Sequence, residues 1–160
     1  MSSIIKRDPP PPFEPLDLPA SDARFGRLVG TVYRKWRRYI DTAFRAYGFS
    51  DATRSPLIGL YDHQGSLRQG DLAQILGLEP TALVRIIPIL EKRGLVTCAP
   101  APEDKRTKVV SLTDNGRAWA EFIIAKSYQA EISFLADLGE QEIATVRAAL
   151  TKVSHSIPDG

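Results

Sequence analysis

From Ser21 to about Tyr47 the apolar residues Phe25, Leu28, Val29, Val32, Trp36, Ile40 and Phe44 recur at threes and fours, the spacing of one helix face. Seven arginines and lysines fill much of the remainder against only Asp22 and Asp41, which predicts a long basic amphipathic helix ended by Gly48. A shorter helix carries Leu57, Leu60 and Tyr61, with Pro56 in its first turn, toward a turn at His63 to Ser66. Leu72, Ile75 and Leu76 then mark a small helix from Gly70 to Leu76, which Gly77 breaks. Pro80 opens the next at its first position, where the missing amide donor costs nothing. In this helix Leu83, Ile86, Ile87 and Leu90 form a buried stripe, and the opposite side displays Thr81, Arg85, Glu91 and Lys92.

Gly94 stops that helix, after which Leu95 to Ala99 and Lys108 to Leu112 read as two strands joined by the polar loop Pro100 to Thr107. Thr113 is an N-cap for a helix to about Ile132, with Ala118, Phe122, Ala125 and Ile132 on a common side. A last helix begins near Gly139 and is expected to bury Ile143, Val146, Leu150 and Val153. The result is a mainly α chain of α+β type: a winged helix-turn-helix core at about 53–112, between long helices at about 21–47 and 113–157. Six of the 12 prolines lie between Pro9 and Pro19, so residues 1–20 read as a proline-rich arm ahead of a single domain at 21–160.

Composition removes several classes. The chain has 160 residues, 43% of them hydrophobic and 25% charged, enough for one compact core. The single cysteine, Cys98, excludes an internal disulfide and a cysteine-based metal cluster, and no stretch approaches 18 uninterrupted apolar residues. A cytoplasmic protein without membrane attachment is expected. His63 and His155 are far apart, and no metalloprotease, nucleophile-elbow, phosphate-loop or dinucleotide signature is present. Neither an enzyme nor a metal or cofactor site is therefore expected. The net charge of +2 identifies no partner, and any electrostatic argument rests on where the charges sit.

A helix of two to four turns fits the DNA major groove, and short side chains at its start let the backbone approach phosphates and bases. Thr81, Ala82 and Arg85 meet that description; Arg85 can pair with guanine or clamp a phosphate. The hairpin tip holds Glu103, Asp104, Lys105 and Arg106, placing Arg106 in or beside the minor groove. Asp104 is expected to orient Arg106 through a charge-assisted hydrogen bond, and Lys92 and Arg93 are further backbone contacts. Glu79 through Lys108 has six basic and four acidic side chains. So weak a charge calls for a two-fold dimer with recognition helices one DNA turn apart.

These residues resemble the MarR family of bacterial and archaeal transcriptional regulators. The resemblance runs from about Leu57 to Ile124 through GDLAQILGLEPTALVRIIPILEKRGLV and PEDKRTKVVSLTDNG. It is carried by Leu72-Ala73, the segment Leu90 to Val96, the Asp104-x-Arg106 wing signature and the helix start from Leu112-Thr113 to Gly116. It implies a homodimer with interlocked terminal helices, a palindromic double-stranded DNA operator, and repression relieved by a small aromatic or phenolic effector. Recognition-helix contacts then fall at Thr81, Ala82 and Arg85 and wing contacts at Asp104 and Arg106. The alternative is a winged-helix protein-interaction module with little specific DNA binding. Three positions depart from the family: Val84, where a hydroxyl residue is frequent; Pro88, expected to kink the recognition helix; and Cys98, where an arginine is frequent. The family's peroxide sensors keep their reactive cysteine in the N-terminal region, and residues 1–47 contain none. Cys98 accordingly reads as a buried or half-buried strand thiol.

Overall fold

The computed structural model describes residue 20 and residues 24–158. The proline-rich arm, apart from Ala20, and the predicted helix start at Ser21 lie outside the described residues. Among the described residues nine elements follow in the order α1 (Phe25–Arg45), α2 (Asp51–Asp62), β1 (Ser66–Arg68), α3 (Gln69–Ile75), α4 (Pro80–Lys92), β2 (Val96–Pro100), β3 (Lys108–Leu112), α5 (Asp114–Phe134) and α6 (Glu140–Ser156). The chain divides into two units, residues 1–36 and 37–160. In the first, Phe25, Leu28, Val29, Val32 and Tyr33 are exposed.

In the second unit, Ile40 and Phe44 from the end of α1 join Phe49, Leu57, Leu60, Leu72, Leu83, Ile87, Leu90, Leu95, Val110, Ala120 and Ile123 in one core. The sheet has the order β1-β3-β2 and is antiparallel throughout, with Leu67 opposite Val110 and Cys98 opposite Val110 on the other side. Strand β1 is missing from the sequence reading, which places Ser66 in a turn. Three residues are too few for an alternating pattern, and pairing with β3 makes the strand. Pro56 lies inside α2 and not in its first turn, because the helix starts at Asp51 with Ser50 as its cap, the Ser50 amide donating to Thr53 Oγ1 at 3.0 Å.

Two predicted burial faces are corrected. On α5 the buried residues are Gly116, Ala120 and Ile123, whereas Phe122 and Ile132 of the predicted stripe are exposed. On α6 nothing is buried: Val146 and Leu150 are exposed, and Ile143 and Val153 are half-buried. Periodicity identifies an apolar face but not what covers it, and within this single chain these faces lack a full covering. An ion pair from Arg147 to Glu131 joins α6 to α5.

A buried charge ties α1 to α2. Arg54, 4% exposed, donates to Asp41 at 2.5 Å, lies 3.6 Å from Asp51 and sits 5.1 Å over the Phe44 ring. Asp51 also pairs with Arg37 at 3.1 Å. Arg54 recurs with Leu57 and Tyr61 at i, i+3 and i+7, so its inward position was present in the periodicity.

Candidate nucleic-acid interface

The helix-turn-helix is built by two short signals. The axes of α3 and α4 are bent by 110°, within the usual range for this motif. Gly77 makes the turn at φ +60°, a conformation that costs glycine little. The Leu78 amide closes the end of α3 on Ala73 O at 2.9 Å. Pro80 then starts α4, and Leu72, Ala73, Leu83, Ile87 and Leu90 lock the pair from beneath. The helix runs through Pro88 to Lys92, so the proline does not end it.

With Leu83, Ile87 and Leu90 buried and Ile86 half-buried, α4 turns Thr81, Val84, Arg85, Pro88 and Lys92 outward, while Ala82 is half-buried at the edge. Among the described residues, Arg85 and Lys92 make no ion pair. Arg93 is placed differently. Its guanidinium donates to Gly48 O at 2.9 Å and Tyr47 O at 3.1 Å and stacks on Phe49 at 3.9 Å. Those bonds satisfy carbonyls of the turn that follows α1 and anchor the end of α4 to the loop before α2.

The wing is a short, braced loop. The Ala101 amide donates to Thr107 O at 2.8 Å, closing the segment, and the Thr107 amide donates to Asp104 O at 3.0 Å. Asp104 Oδ1 accepts from the Arg106 main-chain amide at 2.9 Å and Oδ2 from the Thr107 hydroxyl at 2.8 Å. Asp104 therefore orders Arg106 through its backbone, and the expected bond to the guanidinium is absent. The Arg106 amide, and then the Thr107 hydroxyl, hold the Asp104 carboxyl below the ordinary aspartate range. Arg68 on β1 pairs with Glu103 at 2.7 Å and braces the wing from the neighbouring strand. Lys105 and Arg106 stay exposed at the tip, unpaired among the described residues. Arg68 was not among the sequence candidates, because its link to the wing depends on β1 lying beside β3.

Cys98 is half-buried, its amide donating to Glu91 Oε1 at 2.9 Å. Burial first, then the Glu91 carboxylate, push its thiol upward against the opposing effect of Lys108. His63 caps α2, its Nδ1 lying 2.9 Å from Gly59 O. Among the described residues no group of histidine, cysteine and carboxylate side chains is arranged to hold a metal. No single described helix is long and apolar enough to cross a membrane.

An aromatic cleft lies behind the interface. Tyr47, Asn115, Ala118, Trp119 and Phe122 line a cavity of about 330 Å³. The rings meet edge to face, with centroids 5.2 Å apart for Tyr47 and Phe122, 5.9 Å for Tyr47 and Trp119 and 5.7 Å for Trp119 and Phe122. These residues come from the end of α1 and the start of α5, too distant in sequence for spacing to reveal the cleft.

Comparison with known proteins agrees with this architecture. Residues 57–108 match the model of the MarR family. A MarR-family transcriptional regulator from Rhodococcus sp. RHA1 superposes with a TM-score of 0.76 at 22% identity, over 84% of this chain and 94% of that one. CouR from Rhodococcus jostii RHA1, bound to p-coumaroyl-CoA, gives 0.73 at 22% identity, over 87% and 97%. A MarR-family protein from Listeria monocytogenes complexed with 26mer DNA gives 0.74 at 26% identity, over 83% and 88%. Residues 57–108 thus carry a MarR-type helix-turn-helix and wing, and the chain shares the winged helix-turn-helix fold of MarR-family regulators over more than four-fifths of its length.

Proposed function

We propose that this protein is a homodimeric repressor that binds a palindromic double-stranded DNA operator and is released by a small aromatic or phenolic effector. This is the finer form of the DNA-binding transcriptional regulation that the MarR-type match supports. The observation that supports it most is the outward face of α4, opposite the buried Leu83, Ile87 and Leu90 and beside a braced wing whose tip holds two cations unpaired among the described residues. In this reading Thr81, Ala82 and Arg85 meet the major groove, Lys92 and Lys105 meet phosphates, and Arg106, held by Asp104, enters the minor groove. Arg93 supports the interface from behind. The complex of the Listeria protein with DNA supports the nucleic-acid part, and CouR with its coumaroyl ligand supports an effector. The effector is assigned to the Tyr47–Trp119–Phe122 cleft, whose rings can stack on an aromatic acid.

The test is binding to the DNA upstream of the protein's own gene, titrated with salt. Arg85→Ala is expected to weaken binding by about tenfold or more and to relax site selection, the consequence of losing a contact of about 1–3 kcal/mol. Arg106→Ala is expected to lower affinity mainly beside A·T-rich flanks and to reduce the salt dependence. Wild-type affinity in both variants overturns these assignments. Weak binding indifferent to sequence supports the protein-interaction module instead.

A further inference from the structure

We propose that Val84 and Pro88 are specificity determinants that read thymine, their apolar surfaces packing against thymine C5-methyl groups in each operator half-site. The proposal rests on the DNA-binding reading above and deepens it by naming the bases recognised. On the outward face of α4, Thr81 stands in the first turn and Lys92 in the last, with Val84, Arg85 and Pro88 at the centre and the exposed Ile89 at its edge. Val84 is 60% exposed, and Pro88 is exposed one turn further on. Two of these three central side chains thus carry no donor or acceptor, although the family match covers this helix completely.

A recognition face of this kind limits what can lie opposite. An apolar side chain pressed on a base edge removes water from it and returns no hydrogen bond, so the amino groups of adenine or cytosine and the acceptors of guanine would be left unpaired. The thymine methyl is the apolar group that the major groove offers. Both side chains suit it. Valine in a helix keeps one main rotamer, and the proline ring is rigid, so neither loses much freedom on contact. Four helical residues advance about 6 Å, close to two base-pair steps of about 3.4 Å. The geometry therefore points to two thymines about two base pairs apart, with Arg85 between them free for a guanine or a phosphate.

The experiment selects high-affinity duplexes from a random pool with the full-length protein, then replaces each thymine of the selected site by deoxyuridine, which removes only the methyl group. Two positions in each half-site are expected to lose about fourfold in affinity, the equivalent of about 0.8 kcal/mol for one buried methylene-sized group. Val84→Ala is expected to abolish the deoxyuridine penalty at one position and Pro88→Ala at another, leaving the remaining penalties unchanged. A selected site indifferent to every deoxyuridine, or penalties that persist in both variants, overturns this inference while leaving sequence-specific binding intact. A pool that yields no preferred sequence overturns both.

Discussion

Asp104 shows how one carboxylate orders the wing loop. A bare acidic group at a wing tip would repel phosphate, but here both oxygens are occupied by the Arg106 amide and the Thr107 hydroxyl. These donors stabilise the ionised form, so the folded pKa lies below the unfolded one. The resulting stabilisation is present at any pH above the unfolded value and is lost as pH falls through the folded value. The Arg106 amide resonance is therefore expected to stay fixed down through the ordinary aspartate range and to shift only below it. A midpoint at or above the ordinary aspartate value in an NMR titration would contradict this role. Cys98 is the complementary case, a half-buried thiol pushed up by burial and by Glu91. Its reaction with a disulfide reagent at neutral pH is expected to be slower than that of free cysteine, and a faster rate would argue for a redox function.

The junction between wing and α5 carries the tightest constraint. Thr113 caps α5 by accepting from the Gly116 amide at 2.9 Å while its hydroxyl donates to Gly94 O at 2.7 Å, and the Thr113 amide donates to Leu95 O at 3.1 Å. Gly116 faces that same Leu95 carbonyl so closely that a Cβ would overlap it. The threonine and the glycine three residues later thus form one device that hinges the helix on the β2 strand entry. Gly116→Ala is expected to destabilise the protein by about 3 kcal/mol, the upper part of the usual range for overpacking, since the obstacle is backbone. Urea unfolding measures it, and a loss below about 1 kcal/mol would show that the junction can shift. At this level the sequence was largely legible. Thr113, Gly77 and Pro80 act through their own backbone preferences, which a neighbouring element does not alter. Strand β1 was not legible, because its state depends on β3, more than 40 residues away.

For the molecule as a whole, the exposed apolar residues carry the consequence. Tyr128 and Ile132 on α5 and Val146 and Leu150 on α6 are exposed in the single chain, an arrangement that supports the homodimer proposed above. Replacing Val146 and Leu150 together by glutamate is expected to give a folded chain that sediments as a monomer and binds the operator at least tenfold more weakly, since one recognition helix grips few phosphates. An unchanged dimer would place the interface elsewhere. Hydrophobic spacing, caps and turn residues determined the helices, the hairpin and the outward side of α4, because each follows from local backbone and periodic constraints. Three-dimensional packing decided the rest: Arg93 turned from phosphate to the carbonyls behind α4, Asp104 bonded to a backbone amide in place of a guanidinium, the aromatic cleft assembled from α1 and α5, and the stripes of α5 and α6 were left outside the core. Such contacts join residues separated by long stretches of chain, and periodicity within one segment holds no information about which distant segment meets it.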